Sequence, residues 1–149
     1  SVDISSLTAK HICNSLKDSK VSNNNGLIVY DDGTTKTLLS YIGSNEKVLI
    51  DNINVIEEEV FLNNLIVKEI EITSDVTSIK GHVFQNCSNL EKLIINSTFV
   101  FGDKNYVNYI FKDCNKLKEL TLPLSNICIY QLFDLLGLKL LHFAYLHKS

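Results

Sequence analysis

Val76-Thr-Ser-Ile79-Lys-Gly-His-Val83-Phe84-Gln-Asn-Cys87-Ser-Asn-Leu90-Glu-Lys-Leu93-Ile-Ile95 repeats itself on both sides. Upstream, Val48-Leu-Ile50, Ile53-Asn-Val-Ile56, Val60-Phe61 and Val67 follow the same order of apolar anchors. Downstream, Leu93-Ile-Ile95, Ile110-Phe111-Lys-Asp-Cys114 and Leu117 do so again, and Leu120-Thr-Leu122-Pro123 opens a fourth unit that reaches Phe133. Phe61 to Phe84 and Ile72 to Ile95 are both steps of 23 residues, whereas Phe84 to Phe111, Ile95 to Leu122, Cys87 to Cys114 and Leu90 to Leu117 are all steps of 27. Anchor types that move together mark a repeat, with about four residues inserted in the third unit near Gly102-Asp-Lys-Asn105. Leu141-His-Phe143 matches the opening of a fifth unit, 21 residues from Leu122 to Phe143, which implies a shortened last turn.

An apolar-x-apolar triplet is too short to bury its inner face alone. Stacked on its neighbours at about 4.8 Å it becomes a rung of a parallel ladder, and like-placed side chains form continuous interior columns. The expected interior is Ile70, Ile72, Ile79, Phe84 and Leu90, then Leu93, Ile95, Phe111, Leu117, Leu120 and Leu122. Just before the strand anchors lie Lys68, Glu91, Lys118 and Lys139, and beside them Glu69, Lys92, Glu119 and Leu140. Over the first three coils both rows alternate in sign, so in-register stacking places opposite charges side by side.

The motif of the second coil resembles the BspA-like leucine-rich repeat, in which Val-Thr-Ser-Ile, Phe, Cys and Leu recur about every 23 residues. The third coil keeps Phe111, Cys114, Leu117, Leu120, Leu122 and Pro123; the first keeps Ile56, Phe61 and Val67 but has Asn64 in the Cys place. Leu38-Leu-Ser-Tyr41-Ile-Gly43 resembles the lead-in of such arrays, so the likeness spans about residues 38–143 and weakens after Leu124. It implies a leucine-rich-repeat solenoid, a repetitive β-rich α/β superhelix of short parallel strands. It also implies a secreted or surface-anchored protein of bacteria or protozoan parasites, engaged in adhesion and recognition of host proteins or glycans, with non-catalytic repeats.

The ends differ from the array. Leu7, Ala9, Ile12, Cys13 and Leu16 mark one side of a short helix over about Ser6 to Lys17. Ser22-Asn-Asn-Asn-Gly26 reads as a turn or linker, and Leu27–Tyr30 with Thr37–Tyr41 flank Asp31-Asp-Gly33 as a β-hairpin. The resulting division is an N-terminal helix-and-hairpin cap over 1–45 and about four coils over 46–149, ending in a capping or truncated repeat. The apolar stretch Leu135 to Leu146 would leave a sticky edge if bare. Folding over as a cap or continuation into further coils is favoured there over a dimer through the C-terminal edge.

With 149 residues, 45% hydrophobic and 21% charged, the chain suits one domain or one array. All 14 basic residues are Lys and the net charge is -3, which argues against nucleic acid as a partner. No apolar run approaches the ~20 residues of a transmembrane helix. The chain begins at Ser1 and contains no Met, as expected of a processed chain or excised fragment.

Catalytic, metal and cofactor sites are not expected. Cys87 and Cys114 stack in neighbouring coils at a separation that permits a disulfide, but an inward position favours reduced thiols hydrogen-bonded to loop carbonyls. No Cys-x-x-Cys pair supports zinc. His11, His82, His142 and His147 lack ligand spacing and read as surface or cap histidines. Glu57-Glu-Glu59 reads as a solvated turn at the start of a short helix, and Asp31-Asp-Gly33 as a turn without the spaced oxygen ligands of a calcium loop. The outward row of the ladder, Leu49, Glu71, Ile94, Thr121 and His142, with Leu49 and Ile94 expected exposed, is the candidate partner-binding face. A structural spacer or stalk segment that binds nothing is the alternative.

Overall fold

The computed structural model describes residues 20–73, 75–97, 100–101, 111–123 and 142–146. The helix expected over Ser6–Lys17 and the insertion loop near residues 102–105 lie outside them, as do His11, His147, Lys139, Leu140 and the stretch 135–141. The described chain runs β1 (Val21–Asn24), β2 (Leu27–Asp31), β3 (Lys36–Tyr41), β4 (Lys47–Ile50), β5 (Val55–Ile56), β6 (Glu69–Ile72), β7 (Ser78–Ile79), β8 (Lys92–Ile95), β9 (Val100–Phe101), β10 (Glu119–Pro123) and β11 (His142–Leu146).

Among the described residues the first three coils each contribute one rung to each of two sheets. The apolar-x-apolar strands form the ladder β11-β10-β8-β6-β4, parallel throughout. The shorter strands β5, β7 and β9 form a second parallel wall. That wall continues through β3 into an antiparallel hairpin with β2 and β1. Sequence reading missed this second wall, because a two-residue strand is too short to show a period; its signal is the recurrence of Ile53 and Ile56 as Val76 and Ile79. The pairing Ile79↔Phe101 is a step of 22, whereas Phe84 to Phe111 is a step of 27. The extra residues of the third coil therefore enter between Phe101 and Phe111.

The two walls enclose the expected interior. Ile70, Ile72, Ile79, Phe84, Leu90, Leu93, Ile95, Phe111, Leu117, Leu120 and Leu122 are all buried. Phe61, Phe84 and Phe111 stack with centroids 6.0 and 5.9 Å apart, and Tyr41 tops the column 5.2 Å from Phe61. The turn must swing each Phe inward within a few residues, which takes left-handed backbone at Glu59 and Asn63, at His82 and Asn86, and at Asp113. Asn and Asp tolerate that conformation better than most residues. Phe61 N–H and Asn63 N–H each donate at 3.0 Å to the carbonyls of Val83 and Gln85, so the turns are hydrogen-bonded coil to coil as the strands are.

Two local expectations are corrected. Of the two readings of residues 22–26 the turn holds, but only at Asn25 and Gly26, both at positive φ; residues 22–24 belong to the strand Val21–Asn24, which that turn closes onto β2. The run Glu57–Glu59 is a solvated turn at Glu58 and Glu59, as expected, but it starts no helix and its first member is not solvated. Glu57 is buried beside the Lys80 ammonium of the next coil, and residues 58–63 form turns. A carboxylate tolerates that burial because Lys80, 23 residues on, lies over it. Asp31-Asp-Gly33 is a turn as read: Asp32 Oδ1 accepts from the N–H groups of Thr34 and Thr35 at 2.8 Å. Hydrogen bonds from the Thr35 and then the Thr34 backbone hold the Asp32 carboxyl below its ordinary range.

Cys87 and Cys114 are free thiols within the column. Cys87 Sγ donates to the Phe61 carbonyl at 3.1 Å, and Cys114 Sγ to the Phe84 carbonyl at 2.9 Å. Burial first, then the neighbouring Cys114, pushes the Cys87 thiol up to about 12; burial pushes Cys114 up to about 11. Above pH ~9 the unfolded chain gives up these protons while the folded chain keeps them, so stability falls as pH rises toward the folded values. Cys87→Ala/Cys114→Ala is expected to lose that part of the alkaline slope, on the order of 1 kcal/mol per pH unit per thiol, in urea titrations between pH 8 and 11. Equal slopes in the two proteins would remove the thiols from the account.

Candidate interaction face

Register decides which outward side chains stand in line. Leu49 pairs with Glu71, Glu71 with Ile94, and Ile94 with Thr121. One row thus crosses four rungs as expected, but His142 is not its fifth member. Thr121 pairs with Ala144, and His142 stands beside Glu119. Leu141, Phe143 and Tyr145 alternate with period two, so a slip of two residues keeps every side chain on its own face and the pattern alone does not detect it. The register sets the last step at 23, pairing Leu122 with Tyr145, rather than at the 21 residues from Leu122 to Phe143.

The row is graded in exposure. Leu49 is 54% exposed because β4 is the outermost rung, whereas Glu71, Ile94 and Thr121, shielded by strands on both sides, are half-buried. Ile94 is therefore less open than its outward position suggests. Lys47 pairs with Glu69 at 3.6 Å and Lys92 with Glu119 at 3.4 Å, so charge borders the row along the strand starts.

Among the described residues three further large apolar side chains, Ile42, Leu65 and Ile66, are exposed, all outside the expected row. Leu65-Ile66 occupies the place held by Ser88-Asn89 and Asn115-Lys116 in the following coils, so aligning the repeats by their Phe residues would have singled it out. In those later coils the place is polar and bonded: Asn89 Nδ2 donates to the Leu65 carbonyl, and Lys116 Nζ to Asn89 Oδ1 at 2.8 Å. Among the remaining histidines, His82 lies half-buried in its turn with Nδ1 against Gln85 Oε1, five residues before Cys87 but away from its thiol.

Residues 37–143 match the BspA type leucine rich repeat region, in six copies. The chain belongs to the BspA-type leucine-rich repeat family. Two solved structures share the fold, each with a TM-score of 0.55 and 20% identity. One is a leucine rich cell surface protein from Faecalibacterium prausnitzii, the match covering 66% of this chain and 29% of that one. The other is a leucine-rich repeat protein from Bacteroides capillosus, with 72% and 85% covered. This BspA-type chain thus spans less than a third of the first of these proteins. No curated protein matches it. BspA-type repeats are generally non-enzymatic, and leucine-rich repeat domains typically bind proteins. Among the described residues no helix is long and apolar enough to cross a membrane.

Proposed function

We propose that the chain is a non-enzymatic interaction module of a secreted or cell-surface protein, and that it meets a protein or glycan partner with the ladder row Leu49, Glu71, Ile94 and Thr121. Residues up to about 45 act as its cap, and the coils from 46 onward as the array. The observation that carries this reading is the open Leu49 side chain, 54% exposed and in line with Ile94 on a rigid parallel ladder. An open Leu with a half-buried Ile in the same row, bordered by charge, suits a recognition surface better than a plain spacer. Family membership and the cell-surface neighbour support the placement outside the cell.

Binding to an array of extracellular proteins and glycans tests the reading. Wild-type chain is expected to retain specific hits that Leu49→Lys/Ile94→Lys, with unchanged circular dichroism, loses by tenfold or more. Hits that survive the double variant would move the surface elsewhere, and a wild-type chain that retains none would favour the spacer.

A further inference from the structure

Among the described residues the parallel ladder ends at β4, whose outer edge pairs with no strand. The hairpin prolongs the opposite wall past the first coil and leaves this edge as it is. Two columns of charge run across the ladder and stop there. The first is Glu46, Lys68, Glu91 and Lys118, with Lys68 paired to Glu46 at 2.9 Å and Lys118 to Glu91 at 3.6 Å. The second is Lys47, Glu69, Lys92 and Glu119, paired at 3.6 and 3.4 Å. The columns are adjacent and opposite in phase, so successive coils read Glu-Lys, Lys-Glu, Glu-Lys, Lys-Glu. At the open edge Glu46 and Lys47 are 62% and 81% exposed, and the alternation calls for Lys-Glu on their far side. The large apolar side chains that stand most open among the described residues, Ile42, Leu49, Leu65 and Ile66, also all belong to this first coil and its lead-in.

We propose that the outer edge of β4 is a strand-acceptor site for an extended partner segment reading Lys-Glu-apolar-x-apolar, which adds in parallel as one more rung. Main-chain hydrogen bonds supply the attachment, as in other strand additions to a sheet edge. The two charges set register and direction: Lys meets Glu46 and Glu meets Lys47, whereas the reversed order Glu-Lys sets like charges face to face. The chain itself shows the geometry of the occupant, since Lys68-Glu69-Ile70-Glu71-Ile72 lies in this arrangement along the inner edge of β4. The site lies on the edge of the ladder and goes beyond the reading of its outward face.

Two peptides titrated against the whole chain test it, one carrying Lys-Glu-Ile-Glu-Ile-Thr and one with its first two residues exchanged. The matched peptide is expected to bind roughly tenfold more tightly, with the gap narrowing at 1 M salt. Glu46→Lys/Lys47→Glu is expected to reverse the preference. Ile94→Lys, which alters the outward face away from the edge, is expected to leave peptide binding unchanged, so failure of the face and failure of the edge are separable. Equal binding of the two peptides, binding of neither, or a preference that survives the charge exchange overturns the proposal. So does self-association of the free chain that protects the β4 amides, because the occupant would then be a second copy.

Discussion

Phe84→Ala is expected to destabilise the chain by about 3–5 kcal/mol, read as a lowered urea midpoint by far-ultraviolet circular dichroism. The ring is fully buried and lies between Phe61 and Phe111, stacked 6.0 Å from one and 5.9 Å from the other. Its removal costs transfer free energy and leaves a void that two hydrogen-bonded walls cannot easily close. In a solenoid each coil is held mainly by its neighbours, so the loss falls on both interfaces of the second coil at once. Phe84→Leu, which keeps much of the volume, is expected to cost no more than about half as much. An Ala variant within about 1 kcal/mol of wild type would mean that the coils do not depend on a shared aromatic column.

Gly26→Ala is expected to cost about 3 kcal/mol or more and to act on the hairpin before the array. Gly26 has φ of +89°, and a Cβ placed there would lie 2.5 Å from both the Cα and the N of Gly43. Backbone cannot yield as a side-chain tip can. The same close approach lets Ile42 N–H donate to the Gly26 carbonyl at 2.8 Å, which ties the hairpin turn to the chain entering β4. Gly33 supplies the control. Its φ is +96°, but a Cβ there meets nothing within 4 Å, so Gly33→Ala bears conformational strain alone, about 1–2 kcal/mol. The difference should appear in hydrogen exchange as lost protection at Leu27–Val29 in Gly26→Ala while β6 and β8 amides stay protected. Equal costs for the two substitutions would mean that the Gly26–Gly43 approach carries no weight.

Sequence was most informative where one constraint recurs. The aliphatic anchors and the Phe column recur because each coil solves the same packing problem, and in-register stacking joins those solutions. The alternating charges extend one coil further toward the N-terminus than the sequence reading placed them, to Glu46 and Lys47. Legibility failed at Glu57, where three consecutive carboxylates look solvated until the next coil lays Lys80 over the first of them. It failed again at His142, where a period-two pattern admits a slip of two residues.

By itself the sequence determined the repeat and the identity of the interior columns, and it favoured inward, carbonyl-bonded thiols, because burial of regularly spaced apolar groups leaves few arrangements of the chain. Only the tertiary structure decided which side chains stay open. Exposure depends on whether a neighbouring rung is present, and Leu49, with one neighbour, stands out where Ile94, with two, does not. Among the described residues the same geometry leaves β4 as a strand with an unpaired side, a property of position in the stack rather than of any residue in it.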